Sequence, residues 1–428
     1  MPSDGMMSVE EAQERILGMI RTLDVERRPL LETLGQTLAE DLHAPFNVPP
    51  MANSAMDGYA LRHADIRGAS PGAPVTLEII GLAAAGHPCA VAVAAGTAVR
   101  IMTGAPVPPG ADTVVPFEET DEMDQRSRGR RSADLTRIAI RSEFSLGACV
   151  RPAGGDAPQG ALIVAKGTVL GPAHVGVIAS LGSATALVIR RPVVAILATG
   201  DELREPGEPL GPGQIYNSNT YTTAAQVMAC GATPKLLPIA RDTVEDLADK
   251  IREGLDADLF ITSAGVSTGE YDLVKDVLTR EGTMDFWRVR MRPGKPLAFG
   301  MLRRAGGQPL PHLGLPGNPV SSMIAFDQFA RPAILKLMGQ AADPRPTIKA
   351  ILDEPVSNGD GRRFFARALV TMRGGRYHAR LTGSQDSNVL TSMASANGLL
   401  ILPEDRQSAG PGEEVDVQLL HGDRAIRG

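Results

Sequence analysis

Several stretches of this chain carry side chains whose types and spacing suit work on oxyanions or hard cations. Thr199-Gly200-Asp201-Glu202 follows an apolar, strand-like run. Two adjacent carboxylates on such a turn can bind a hard cation or orient a nucleophile, though capping a helix or facing solvent fits the same residues. Arg241-Asp242 follows the next strand-like run, and Asp242 also reads as a helix N-cap. Ala264-Gly265-Val266-Ser267-Thr268-Gly269-Glu270 leads into Tyr271-Asp272 and a helix. Its glycines permit close approach, its hydroxyls donate, and a helix start is electropositive, so it suits an oxyanion; a plain tight turn is the alternative.

Two further stretches extend the same chemistry. Arg288, Arg290 and Arg292 alternate, which on a strand puts them on one face, and Pro293-Gly294-Lys295-Pro296 follows at once. Unpaired buried charge is costly, so this face must be solvated, paired with carboxylates or lining an anion site, and the last is favoured. Gly317-Asn318-Pro319-Val320-Ser321-Ser322 opens a long apolar helix, with Asn318 as N-cap and Pro319 at the first helical position. Capping explains Asn318 and Pro319; the glycine and the serine pair suggest a second oxyanion cradle.

The elements that must position these residues follow from periodicity. Between Pro192 and Met338, strand-like and helical runs alternate, the signature of an open, mostly parallel α/β sheet with helices on both faces. Ligands of such sheets lie beyond the carboxyl ends of the strands. Ahead of this core, Ser8 and Glu11 form a capping box for a first helix, and Leu30, Leu31, Leu34 and Leu38 suggest a second. From Met51 to Arg190, short runs such as Pro74–Ile80, Ala98–Met102 and Thr136–Ile140, broken by Gly and Pro, suggest a β module. Asp121–Asp134 reads as a solvated loop whose arginines could bind an anion. Asp242 and Glu245 have capping-box spacing. After Pro346, strand-like runs and Gly-rich turns suggest a small β-barrel or sandwich.

Composition narrows the function classes. The 428 residues carry 43 Lys+Arg against 49 Asp+Glu, a net charge of −6, with 46 Gly and 33 Pro. That balance argues against general nucleic-acid or anionic-membrane binding, and one Trp, five Tyr and ten Phe make a base-stacking platform improbable. Three scattered cysteines form no thiolate zinc motif or disulfide framework. The absence of a signal-like start or a long apolar run leads to the expectation of a cytoplasmic protein that contacts no membrane.

Taken together, Asn53-Ser54-Ala55-Met56-Asp57-Gly58-Tyr59-Ala60, Arg100-Ile101-Met102-Thr103-Gly104-Ala105-Pro106, Thr199–Leu203, Gly265–Glu270, Pro293–Pro296 and Gly314–Ser321 resemble, in order, motifs of the molybdopterin molybdenumtransferases. This is the molybdenum insertase family that includes the gephyrin E domain. Gly383-Ser384-Gln385-Asp386-Ser387 resembles its C-terminal motif more loosely.

The resemblance implies a mixed helical and β arm (1–50 and 150–190), an inserted β domain (51–149), an α/β molybdopterin-binding core (191–340) and a C-terminal β-barrel (345–428). It implies a homodimer with a shared active site, and a molybdopterin adenylyltransferase as upstream partner. The implied reaction inserts molybdenum from molybdate into adenylylated molybdopterin, with Mg2+ present and AMP released. By motif position, Asp57, Thr103, Glu202, Asp242 and Asp272 are the catalytic candidates, and Glu202, Asp242 and Asp272 the metal ligands. Gly265, Ser267, Thr268, Arg288, Arg292, Lys295, Gly317, Asn318, Pro319, Ser321, Arg362 and Ser387 are the substrate-binding candidates. The chain departs from the family pattern at Ala264 and Arg292.

Overall fold

The computed structural model describes residues 5–263 and 273–420. The chain forms two compact units: Met1–Arg28 with Gly35–Ala39 and Leu187–Gly428, and Pro29–Leu34 with Glu40–Ala186.

The first unit is built on a six-stranded sheet. Val193–Ala198 lies between Thr233–Leu236 and Leu259–Ser263, parallel to both, and Leu310–Leu315 continues the parallel order. The other edge differs from the expectation: Pro296–Leu302 and Gly282–Arg288 add antiparallel strands, so the core sheet is mixed. The central strands are near-continuous apolar runs because both faces are covered. Alternate residues enter two cores: Val194, Ile196, Ile261 and Leu313 pack with the helices Val9–Met19 and Ser218–Ala229, whereas Ala195, Leu197 and Phe260 pack with Val244–Glu253 and Leu273–Glu281. The first helix begins at Ser8 with both halves of its capping box formed. The expected second helix is a single turn, Leu30–Thr33, and Leu38 pairs with Val188 as an isolated bridge.

After the core, five strands close on themselves: Arg363–Arg373, Arg376–Leu381, Thr347–Leu352, Glu414–Leu419 and Gly398–Leu402. This is the expected C-terminal barrel, with an apolar interior that includes Ala366, Val370, Leu400 and Val417. Closure removes free strand edges apart from one graft. Met291–Arg292 pairs with Arg363–Phe364 and so carries the basic segment onto the barrel.

The second unit contains a five-stranded sheet in the order Thr113–Pro116, Gly58–Leu61, Thr97–Ile101, Val75–Ala83, Arg137–Ile140. All of Gly58–Leu61 is buried, with Tyr59 and Leu61 on one face and Ala60 on the other. The segment read as a solvated loop is partly structured. It holds the short helix Glu122–Ser127, whose first residue is buried despite its charge.

Candidate functional site

Two of the carboxylate candidates, Glu202 and Asp242, follow the carboxyl ends of neighbouring parallel strands. Thr199 bridges Ala240, and the amide of Gly200 donates to the Ala240 carbonyl at 3.2 Å. Gly200 has φ +142, a region that suits glycine, and an added Cβ would lie 2.4 Å from Glu202 Oε2. The Glu202 side chain therefore folds back over this turn. The Asp242 amide reaches Asp201 Oδ1 at 3.4 Å, linking the two loops.

Asp242 is not the helix cap. Thr243 fills that position, accepting from the Asp246 amide at 3.3 Å, so the capping pair is one residue later than Asp242 and Glu245. Thr243 wins because its hydroxyl lies directly before the first helical residue, which leaves the Asp242 side chain without a local structural task. Among the described residues neither Glu202 nor Asp242 has a side-chain hydrogen bond or ion pair. A cleft of about 890 Å3 adjoins them, lined by Gly200, Asp201, Tyr221, Arg241 and Thr243 among others.

Asn219, the second residue of the helix Ser218–Ala229, was not singled out by its sequence. Its Nδ2 donates to Ser263 Oγ at 2.9 Å and to the Gly317 carbonyl at 2.7 Å, tying together the ends of two strands. Its Oδ1 is buried with no partner among the described residues. The available signal was the run Asn217-Ser218-Asn219: Asn217 is the N-cap, so the helix begins at Ser218 and brings Asn219 to the carboxyl ends of two central strands.

The basic segment departs from its expected geometry. Strand pairing stops at Arg288, Val289 makes a lone bridge to Met7, and Met291–Arg292 joins the barrel. The three arginines therefore share no strand face, because the chain changes sheets between them. Arg288 is exposed at the strand end, and Arg290 donates to the Met6 carbonyl.

Arg292, Lys295, Ser321, Arg362 and Ser387 do converge. They line one cleft of about 440 Å3, together with Phe364 and Asp386. Gly294 has φ +105, which lets the Pro-Gly-Lys-Pro turn present Lys295 at its mouth. The Arg292 guanidinium stacks 3.8 Å from the Phe364 ring, donates to the Ser357 carbonyl and sits 3.7 Å from Asp360. Arg362 is clamped by Asp360. Burial alone would raise the Asp360 pKa, but the bonds from Arg362 outweigh it and hold the carboxyl below its ordinary range. Lys295, by contrast, is exposed, and its side chain has no hydrogen bond or ion pair among the described residues.

Asn318 caps its helix by position but not by side chain. Pro319 at the first helical position removes one donor, and Asn318 Nδ2 instead donates to Ser387 Oγ at 2.9 Å. Gly317 offers its carbonyl to Asn219.

A second residue missed by sequence reasoning shapes the loop that carries Ser387. Arg367 is fully buried. Its guanidinium donates to the carbonyls of Ser384, Gln385 and Asp386 at 2.7, 3.0 and 3.0 Å, and its Nε donates to Ser392 Oγ. A charged residue inside a strand of apolar neighbours, Phe364-Phe365-Ala366-Arg367-Ala368, was the signal for it.

In the second unit, Asp57 and Thr103 meet. Asp57 Oδ1 accepts from the Thr103 amide at 2.7 Å and from its hydroxyl at 2.8 Å. These two bonds, backbone first, hold the Asp57 carboxyl below the ordinary carboxylate range, and the nearby Arg100 charge acts in the same sense. Gly265, Ser267, Thr268 and Asp272 lie outside the described residues.

Three family models match consecutive parts of the chain: the MoeA N-terminal region (domain I and II) at residues 7–182, a probable molybdopterin binding domain at 195–336, and the MoeA C-terminal region (domain IV) at 349–420. A Mycobacterium tuberculosis protein named molybdopterin molybdenumtransferase 2 is 38% identical over 419 residues, covering 96% of this chain and 99% of its own. The chain belongs to the molybdopterin molybdenumtransferase family.

A Haemophilus influenzae relative of that family is 33% identical, over 96% of this chain and 98% of its own. A crystal structure of a molybdopterin biosynthesis MoeA protein from Pyrococcus horikoshii superposes with a TM-score of 0.80 at 31% identity, covering 97% of this chain and 100% of that one. The family assignment thus spans both units.

Proposed function

We propose that this chain acts in molybdenum cofactor biosynthesis, inserting molybdenum from molybdate into adenylylated molybdopterin and releasing AMP. The observation that carries the reading is the 440 Å3 cleft, where the Lys295 side chain has no partner among the described residues and stands beside Arg292, Ser321 and Ser387. Molybdate, the pterin phosphate and the bridging pyrophosphate are all oxyanions. Lys295 binds such a group as a point charge, Arg292 as a planar fork stiffened by Phe364, and the two hydroxyls donate the remaining hydrogen bonds.

The donor set beyond the carboxyl ends of the strands fits Mg2+ in kind. Glu202 and Asp242 are hard oxygen ligands with no competing partner among the described residues, and they would hold the ion together with Asp272. A bound Mg2+ would offset charge on the leaving phosphate. Asn219 ties Ser263 to Gly317 at the carboxyl ends of the two central strands. Asp57, held ionised by Thr103, is positioned to orient or deprotonate water.

The same proposal includes the arm, the inserted β domain, the core and the barrel at the boundaries given above. It includes a cytoplasmic homodimer with a shared site, supplied by a molybdopterin adenylyltransferase. No helix among the described residues is long and apolar enough to cross a membrane.

An anaerobic assay with purified protein, adenylylated molybdopterin, Mg2+ and molybdate tests the reaction. AMP release and active cofactor should both depend on molybdate; folded, dimeric protein that yields neither would falsify the assignment. Verified mixed dimers of Asp57→Ala and Asp272→Ala subunits should recover activity if the site is shared, and no recovery would exclude sharing.

A further inference from the structure

A charged cluster in the second unit lies outside the functional reading above. Glu122 is fully buried, with 0% exposure. Its carboxylate accepts from the Tyr59 hydroxyl at 2.7 Å, Arg100 Nη2 at 2.9 Å, Arg100 Nε at 3.3 Å and Ser132 Oγ at 2.6 Å. Its own amide donates to Thr120 Oγ1 at 3.1 Å. Burial works to raise the Glu122 pKa, and the bonds from Arg100, Ser132 and Tyr59 more than reverse it.

The placement of this cluster is what gives it a role. Tyr59 and Arg100 are direct partners across the antiparallel pair Gly58–Leu61 and Thr97–Ile101. Asp57 immediately precedes the first of these strands, and Thr103 follows the second by two residues. Arg100 also donates to the Met102 sulfur at 3.6 Å. Both arms of the Asp57–Thr103 turn therefore leave strands that Glu122 clamps from beneath. A buried ion pair is weak evidence for stability, since apolar residues of similar volume often serve as well. Its two-pronged geometry does fix orientation.

We propose that Arg100 and Glu122 are positioning residues that fix the Asp57–Thr103 turn in its reacting geometry. The inference rests on the reading of Asp57 and Thr103 as catalytic. Neither Arg100 nor Glu122 meets substrate; they act through Tyr59, Met102 and the strand ends.

The test uses the full chain with Arg100→Lys, which keeps the charge and loses the fork. Tyr59→Phe, which removes a single donor while keeping the core shape, serves if the lysine variant does not fold. Each is compared with wild type by carboxyl-carbon NMR titration of Asp57, by steady-state AMP release and by thermal melting. Arg100→Lys should raise the Asp57 midpoint and lower kcat about tenfold, with KM for adenylylated molybdopterin within twofold; Tyr59→Phe should shift both less, in the same sense. Ile66→Val, in the same core but outside the cluster, should lower the melting temperature and leave kcat and the midpoint unchanged. Folded variants with a wild-type midpoint and wild-type kcat overturn the proposal. If wild-type protein releases no AMP, the functional reading has failed, and the Asp57 midpoint alone still decides whether the cluster positions the turn.

Discussion

The Asp57–Thr103 turn of the second unit and the Arg292–Lys295 cleft of the first treat charge in opposite ways. Asp57 Oδ1 is filled by two donors from one residue, and the Arg100–Glu122 pair beneath it is neutralised internally. In the cleft, Asp360 engages Arg362 and approaches Arg292, while the Lys295 side chain has no partner among the described residues. A carboxylate with one oxygen engaged twice is held in one orientation, with its other oxygen left open. A cation without a counter-charge gains most when an anion arrives. The difference separates an orienting site from a binding site, and each prediction below presses on one side of it.

The largest effect should come from Lys295→Ala. Removing one charged donor to a developing or bound oxyanion commonly costs about a hundred- to a thousandfold. The variant should lose roughly a thousandfold in kcat/KM for molybdate, about 4 kcal/mol, with its melting temperature unchanged. Steady-state kinetics of cofactor formation checks it, and a loss under tenfold would move the anion site elsewhere. Lys295→Arg should recover part of the loss, because the charge remains but the donor geometry changes.

Arg367→Met should come next, acting on the frame of the cleft and not on its charge. The substitution removes four hydrogen bonds from a partly exposed loop, at about 1 kcal/mol for each; the Asp386 carbonyl and the Ser392 hydroxyl keep a bond to Val389, and the Ser384 and Gln385 carbonyls are left to water. A net loss of about 3 kcal/mol in barrel stability is expected from denaturant titration. Anion affinity should fall as well, since the loop presents Ser387.

How far the two sites were legible in sequence follows from what each depends on. The Lys295 side was readable because Pro-Gly-Lys-Pro is local chemistry: a glycine at φ +105 and two prolines dictate the turn whatever surrounds it. The arginine row was misread because period-2 spacing assumes one continuous strand, and this chain transfers from the core sheet to the barrel after Arg288. Glu122 was hidden for a similar reason. In the polar run Asp121–Asp134 nothing local distinguishes a buried glutamate from solvated ones; its partners Tyr59 and Arg100 are 63 and 22 residues away in sequence. Parallel strands such as Val193–Ala198 were plain, since burial on both faces requires unbroken apolar runs. The antiparallel edge was not, because strand direction leaves no mark in composition.

His312 offers a third way of holding a titratable group and the next prediction. Its Nε2 lies 3.0 Å from Thr262 Oγ1, and burial pushes its pKa down to about 3. The folded state keeps the imidazole neutral, while the unfolded chain takes a proton below its ordinary value near 6.5. The stability contribution is therefore whole above about pH 6.5 and is lost as pH falls toward 3. At pH 5 the loss should be about 2 kcal/mol. The sole tryptophan, Trp287, lies in the same sheet and reports unfolding of the first unit by fluorescence. His312→Gln should flatten the acid slope between pH 6.5 and 5; an unchanged slope would assign it to carboxylates instead.

Thr103→Val tests the orienting side at its most exposed point and should give the smallest effect. It removes the hydroxyl bond to Asp57 Oδ1 and keeps the backbone one, which is the larger cause of the lowered pKa. The Asp57 midpoint should move up toward 3.8 without reaching it. Because the folded carboxyl titrates below its ordinary value, its contribution to stability is present above that value and is lost as pH falls through the folded midpoint. At neutral pH the variant should therefore lose only about 0.5 kcal/mol, the worth of one solvent-accessible hydrogen bond. A much larger loss would mean that the turn, like the cleft, depends on its hydroxyl for more than orientation.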